Sequence, residues 1–164
     1  MSEKEESPVI DYIGKGVFLY FLAGLSVSLI VLLLGEVGSI PFEAVDDSVL
    51  GVDEADDIFF AEFAARLVTN VLILAPILGV LTGFWGGRIL DNVNEAVGFA
   101  TVVGLIGGFI FVVLVGSLSF LAITEDAAEL FQINSLDFTA VVTNGVIAAL
   151  GTGIAAAGSA YASY

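Results

Sequence analysis

The chain has no cysteine and no histidine, and its only methionine is Met1. Without Cys there are no disulfides, no thiolate chemistry and no Fe–S ligation, and the redox compartment leaves no mark. With His also missing, haem, copper and catalytic zinc lose their usual ligands, and no Ser–His pair exists for acyl transfer. No Gly-rich phosphate loop precedes a Lys. The expectation is a protein with no cofactor, no metal and no enzymatic activity. Cations are almost as scarce, since Lys4, Lys15, Arg66 and Arg88 stand against 19 acidic residues, a net charge of −15. Such a charge repels nucleic acid and anionic lipid. It suits loops that must stay hydrated at high ionic strength, the habit of extreme halophiles; the alternative is an acidic loop surface in an ordinary organism.

Charge of either sign is thin overall. Charged residues make up 14% and hydrophobic residues 58% of the 164, and the mean hydropathy is +1.03. A soluble domain has about 25% and roughly 45–50%. Every charged residue except Arg88 falls into a few clusters, leaving charge-free stretches at 16–35, 67–87, 96–124 and 138–164. Each is as long as the roughly 20 apolar residues that cross about 30 Å of hydrocarbon. In lipid a helix satisfies its own backbone, whereas barrel strands would alternate polar and apolar residues, and these do not. The first stretch is no signal peptide: Glu3, Glu5, Glu6 and Asp11 flank it and no small-residue cleavage site follows. The sequence therefore predicts an all-α, polytopic membrane protein, a single domain of four transmembrane helices at about 16–35, 64–87, 96–123 and 138–161. Acidic outer loops join them at about 36–63 and 124–137.

Lys4, Lys15 and Arg88 share one side in a topology with both termini inside, and only Arg66 falls outside, so the positive-inside rule predicts cytoplasmic termini in the cell membrane. The aromatic anchors Tyr12, Tyr20, Trp85, Tyr161 and Tyr164 all fall toward the same inner face, while Phe42, Phe59, Phe60, Phe63, Phe131 and Phe138 mark the outer one.

Helices two and four share a pattern. Val68-Thr69-Asn70 precedes Ile73, Ala75 and Gly79, and Val142-Thr143-Asn144 precedes Ile147, Ala149 and Gly153 at the same offsets. Asp57-Ile58-Phe59 and Glu129-Leu130-Phe131 lie upstream, in what reads as a short interfacial helix. A duplicated hairpin is the simplest account, and chance similarity of apolar helices the alternative. Duplication predicts a pseudo-two-fold axis along the membrane normal that brings Asn70 and Asn144 to equivalent places.

Lipid tails are as apolar as Leu, so helices in a bilayer associate through close packing and polar contacts, and small residues four apart permit both. Helix two offers Ala75, Gly79, Gly83 and Gly87; helix three Ala100, Gly104 and Gly108; helix four Gly145, Ala149, Gly153 and Ala157. Helix one has a weaker set, Gly16, Gly24 and Ser28. These stripes imply a tight bundle or a homo-oligomeric seam, unless they reflect only the abundance of Gly and Ala in membrane helices. The intramembrane amides Asn70 and Asn144 should each find a partner, as structural glue or, less often, as contacts to a solute. Pro76 should kink helix two.

No Lys, Arg, Asp or Glu lies deep in any stretch, which removes the usual marks of proton relays and ion pathways. The cluster Asp53-Glu54-Asp56-Asp57 lacks a calcium-loop pattern and reads as a solvated acidic face. The function this implies is non-enzymatic: a structural or accessory protein that packs in the lipid bilayer against copies of itself, as a homo-oligomer, or against other membrane proteins. The alternative is a small channel or carrier subunit for a neutral or weakly coordinated solute.

Overall fold

The computed structural model describes residues 8–37, 52–121 and 137–164, with side-chain surroundings for 9–33, 70–121 and 137–164. Among the described residues there are four α-helices and no strand: α1 Pro8–Val37, α2 Val52–Ile89, α3 Val93–Phe120 and α4 Phe138–Ala162. Each contains a span long and apolar enough to cross a membrane, at Val9–Leu33, Asn70–Ile89, Val93–Phe120 and Phe138–Ala162. The chain is an all-α, multi-pass membrane protein.

Two helices start earlier than the charge pattern suggested. α1 opens at Pro8, the first helical position, where a missing N–H costs nothing. Its first turns carry Asp11 and Lys15, bonded across one turn at 2.5 Å. α2 opens at Val52 rather than about 64, so the acidic run Asp53–Asp57 is helical backbone and not loop. Acidic residues at a helix N-terminus oppose the macrodipole favourably. With 38 residues α2 is about 57 Å long at 1.5 Å per residue, far more than the hydrocarbon needs. Charge marks where hydrocarbon ends, and the helix continues past it. The second acid–aliphatic–Phe triplet, at 129–131, lies outside the described residues.

α2 and α3 are joined by only Leu90, Asp91 and Asn92. The Asn92 side chain caps α3 by accepting from the Asn94 N–H at 2.8 Å, with Glu95 in the first turn. Asp137 caps α4, accepting from the Ala140 N–H at 3.0 Å.

α3 is the hub, packing along α4, α2 and α1, and α2 also packs along α4. Among the described residues α1 scarcely meets α2 and does not meet α4. Two equivalent hairpins would pack α1 on α2 as closely as α3 on α4, and α1 on α4 as α2 on α3. Neither holds, so the packing has no two-fold repeat, whatever the ancestry of the shared Val-Thr-Asn pattern. The interior holds small residues, with Ala75, Ala96, Ala100, Ala156 and Ala160 fully buried, plus Phe99 and Phe111 from α3. Large aliphatics lie outside, among them Leu29, Ile30, Ile73, Leu81, Ile147 and Ile154. That distribution is what association in lipid selects, because only close approach distinguishes another helix from an acyl chain.

Candidate functional site: the small-residue seams

The α2–α4 seam is built from glycines on one helix and short polar side chains on the other. A Cβ added at Gly79 would sit 2.5 Å from the Thr152 carbonyl oxygen. At Gly83 it would run into the Ser159 hydroxyl and the Ala156 carbonyl, and at Gly87 into Ser163. Successive notches four residues apart on α2 thus take Thr152, Ser159 and Ser163 of α4. α3 closes on Thr152 from its other side, where a Cβ at Gly104 would lie 2.9 Å from the Thr152 carbonyl oxygen and one at Gly108 2.7 Å from its Oγ1. Thr152 is completely buried at this three-helix junction, and its hydroxyl donates to the Ala148 carbonyl at 2.7 Å. The Ser159 hydroxyl has the Val80 carbonyl of α2 at 3.0 Å and the Ala156 carbonyl of its own helix at 3.1 Å. It carries one proton, so one carbonyl accepts at a time or both share it.

The α3–α4 seam adds Gly145, which lies under Phe109 and Val113, and Gly153, whose added Cβ would be 2.9 Å from the Leu105 side chain. Ala75, Ala100 and Ala149 are buried, and Gly87 and Ala157 are half-buried. On the α1–α3 seam, Gly16 faces Val103, Gly24 faces Phe111 and Leu114, and Gly107 of α3 receives the ring of Tyr20. The Ser28 hydroxyl donates to the Gly24 carbonyl at 2.8 Å, with the Leu114 carbonyl of α3 at 3.5 Å.

Tyr20 departs from its expected place at the interface. It is 3% exposed, wedged between α1 and α3, and its hydroxyl reaches Thr82 of α2 at 3.2 Å. Thr82 already donates to the Leu78 carbonyl at 2.9 Å, so Tyr20 is the donor of the pair. The other four aromatic anchors gather at the end of the bundle that carries the α2–α3 turn. Tyr12 and Trp85 meet edge-to-face with centroids 6.4 Å apart, Tyr164 donates to the Leu90 carbonyl in the turn, and Tyr161 is exposed three residues before it.

The two amides are not equivalent. Asn70 is exposed at the start of its span and Asn144 is half-buried, and among the described residues neither has a hydrogen-bond partner. The expectation that the two amides occupy equivalent places is not met, since Asn70 is exposed on α2 and Asn144 half-buried on α4. Pro76 sits inside an unbroken α2, its ring beside Gly151 of α4. Thr152, Ser159 and Ser163 escaped the sequence reading, and Tyr20 was read only as an anchor. Part of the signal was available, since Ser159 and Ser163 stand four apart on α4 as Gly83 and Gly87 do on α2.

The buried hydroxyls of Ser28, Thr152 and Ser159 are satisfied by nearby carbonyls, and among the described residues only the buried Ser119 Oγ lacks a partner. An apolar groove between α3 and α4 is lined by Leu105, Ile106, Phe109, Val146, Ala149 and Leu150. A second cleft, between α1 and α2, has Leu19, Tyr20, Leu78, Leu81, Thr82 and Trp85 around about 270 Å³. Among the described residues no three acidic side chains gather as a metal site, and the side chains of 53–57 lie outside them. Comparison with known proteins finds no matching family model, no similar curated protein and no similar solved structure.

Proposed function

We propose that this is a non-enzymatic structural or accessory protein of the cell membrane, acting by contact with other membrane proteins or with copies of itself. The observation that carries this reading is the closed junction of α2, α3 and α4: Gly79, Gly104 and Gly108 converge on the wholly buried Thr152, leaving no room for a solute there. The same packing bears on how it associates. Nine of the eleven stripe residues, all but Gly87 and Ala157, are buried within one chain, so a partner must meet the outward aliphatic faces instead. Both termini face the cytoplasm in this reading, because Lys15 and Arg88 lie at the end of the bundle with the Tyr12–Trp85 pair. A C-terminal tag cleaved by protease added to intact cells would reverse that orientation. The acidic composition fits a high-salt habitat.

The competing function is a pore or carrier for a neutral solute. Purified protein in liposomes should leave the osmotic swelling rate in urea and glycerol at that of empty vesicles. Faster, saturable entry would replace the accessory reading with transport.

A further inference from the structure

α4 carries two different faces. Gly145, Ala149, Thr152, Ala156 and Ser159 look into the bundle and are buried there. On the opposite side Ala140, Asn144, Ile147, Gly151, Ile154, Gly158 and Tyr161 succeed one another at alternating steps of four and three residues, and all seven are exposed or half-buried. That spacing holds one seam of a helix against a second helix along its whole length, whereas lipid imposes no register. One edge of the seam carries Asn144, Gly151 and Gly158, and the other carries Ile147 and Ile154. Packing within the chain does not account for the small residues. A Cβ added at Gly158 would meet nothing within 4 Å, and one at Gly151 would make ordinary contact with the Pro76 ring at 3.6 Å. Asn144 gives the seam its specificity. It lies six residues, about 9 Å, inside the apolar span of α4, and among the described residues its amide has no hydrogen-bond partner. In hydrocarbon an amide must replace the water it gives up. Asn70 differs, because it stands exposed at the first position of its span, where hydrocarbon ends.

We propose that α4 pairs with α4 of a second copy of this chain, in parallel about a two-fold axis along the membrane normal, with the two Asn144 amides hydrogen-bonded to each other across that axis. The inference rests on the accessory reading above and names its partner. A second copy inserted in the same orientation brings its own Asn144 to the same depth with no further condition. Each amide has both a donor and an acceptor, so a two-fold pair satisfies itself reciprocally. Any other partner would have to supply a polar group of its own at that depth. A buried Asn at one such seam position is also what fixes parallel register between paired helices. Ile147 and Ile154 of each copy then fill the space left beside Gly151 and Gly158 of the other. Charge opposes the pairing only at the outer end, where the same spacing runs back to the exposed Asp137. Its carboxylate accepts from the Ala140 N–H of its own helix, and salt screens the repulsion between the two copies in water.

The chain has no cysteine, so single cysteines in the intact protein report contact between copies directly. Ile147→Cys and Ile154→Cys probe the seam, and Ile73→Cys on α2 and Ile30→Cys on α1 are the controls. Ile147, Ile73 and Ile30 are 59%, 63% and 57% exposed, so random collision would treat them alike. In phosphatidylcholine vesicles, oxidation by copper-phenanthroline should give covalent dimers at 147 and 154 and not at 73 or 30. Equal yields at all four positions, or dimers at the controls alone, would overturn the proposal. Energy transfer between donor- and acceptor-labelled copies gives the protein mole fraction at which half are paired. Asn144→Val should raise that fraction about three- to thirty-fold, the range for one hydrogen bond in a membrane, with helix content by circular dichroism unchanged. Pairing that is indifferent to Asn144→Val would overturn the proposal as well. Purified copies that stay single at every mole fraction would overturn it alone if particles drawn from native membrane hold a different protein. Single copies in both would remove the accessory reading with it.

Discussion

Replacing Gly79 by Leu should unseat α2 from α4 and destabilise the bundle by about 1–3 kcal/mol or more, the range for overpacking a closed interior. The reason is the identity of the obstructing atom. The first atom an added Cβ meets is the Thr152 carbonyl oxygen, at 2.5 Å, which belongs to the α4 backbone and cannot rotate aside as a side chain would. Gly104 approaches the same carbonyl from α3, so α4 can yield only by drawing back from both neighbours. Gly158→Ala is the control on the same helix pair: nothing lies within 4 Å of its added Cβ. That change should be neutral or stabilising, by up to about 1 kcal/mol of helix propensity. Reversible unfolding in bicelles measures both. Equal effects at the two positions would mean that Gly79 owes its place to composition and not to contact.

The four spans could be read directly because exclusion of charge from hydrocarbon is a strong constraint and leaves uninterrupted runs such as 96–124. Helix ends could not. Asp53–Asp57 looked like loop because a membrane reading treats charge as an end to structure, whereas an acidic helix beyond the lipid obeys ordinary aqueous rules. The spacing of Gly79 and Gly83 identified a face of α2 but could not say which helix it meets; that depends on where Thr152 and Ser159 fall on α4. Tyr20 was misjudged for a related reason. Tyrosine in a membrane helix is usually an interfacial anchor, and only the notch at Gly107, on a helix 87 residues away in sequence, gives it a buried site. The Asn70–Asn144 match was real as a pattern of letters, but equivalence in space required equivalent hairpins, and α1 does not pack on α2 as α3 packs on α4.

Gly107→Val should release α1 while leaving the other three helices assembled. An added Cβ at this position lies 2.5 Å from Tyr20 Cγ, at the stiff root of a ring buried in the α1–α3 seam. α1 must retreat, taking with it the Tyr20–Thr82 hydrogen bond, itself worth about 0.6–2 kcal/mol in a membrane. The Thr152 junction does not involve Gly107, so α2, α3 and α4 keep their contacts. Hydrogen exchange followed by mass spectrometry in nanodiscs should show α1 amides losing protection and α3 and α4 amides retaining it. Uniform loss across all four helices would show that α1 is integral to the core, and no change would show that Tyr20 is not the wedge.

The claim on which the functional account rests is that this closed bundle works by being in contact with other membrane proteins. It is tested most directly by the mass of the particle extracted from native membrane into polymer nanodiscs without detergent. A single chain contributes 17.0 kDa. The account predicts a protein mass well above that value, in a fixed ratio of chains that survives dilution. Particles containing one copy and no other protein would contradict it.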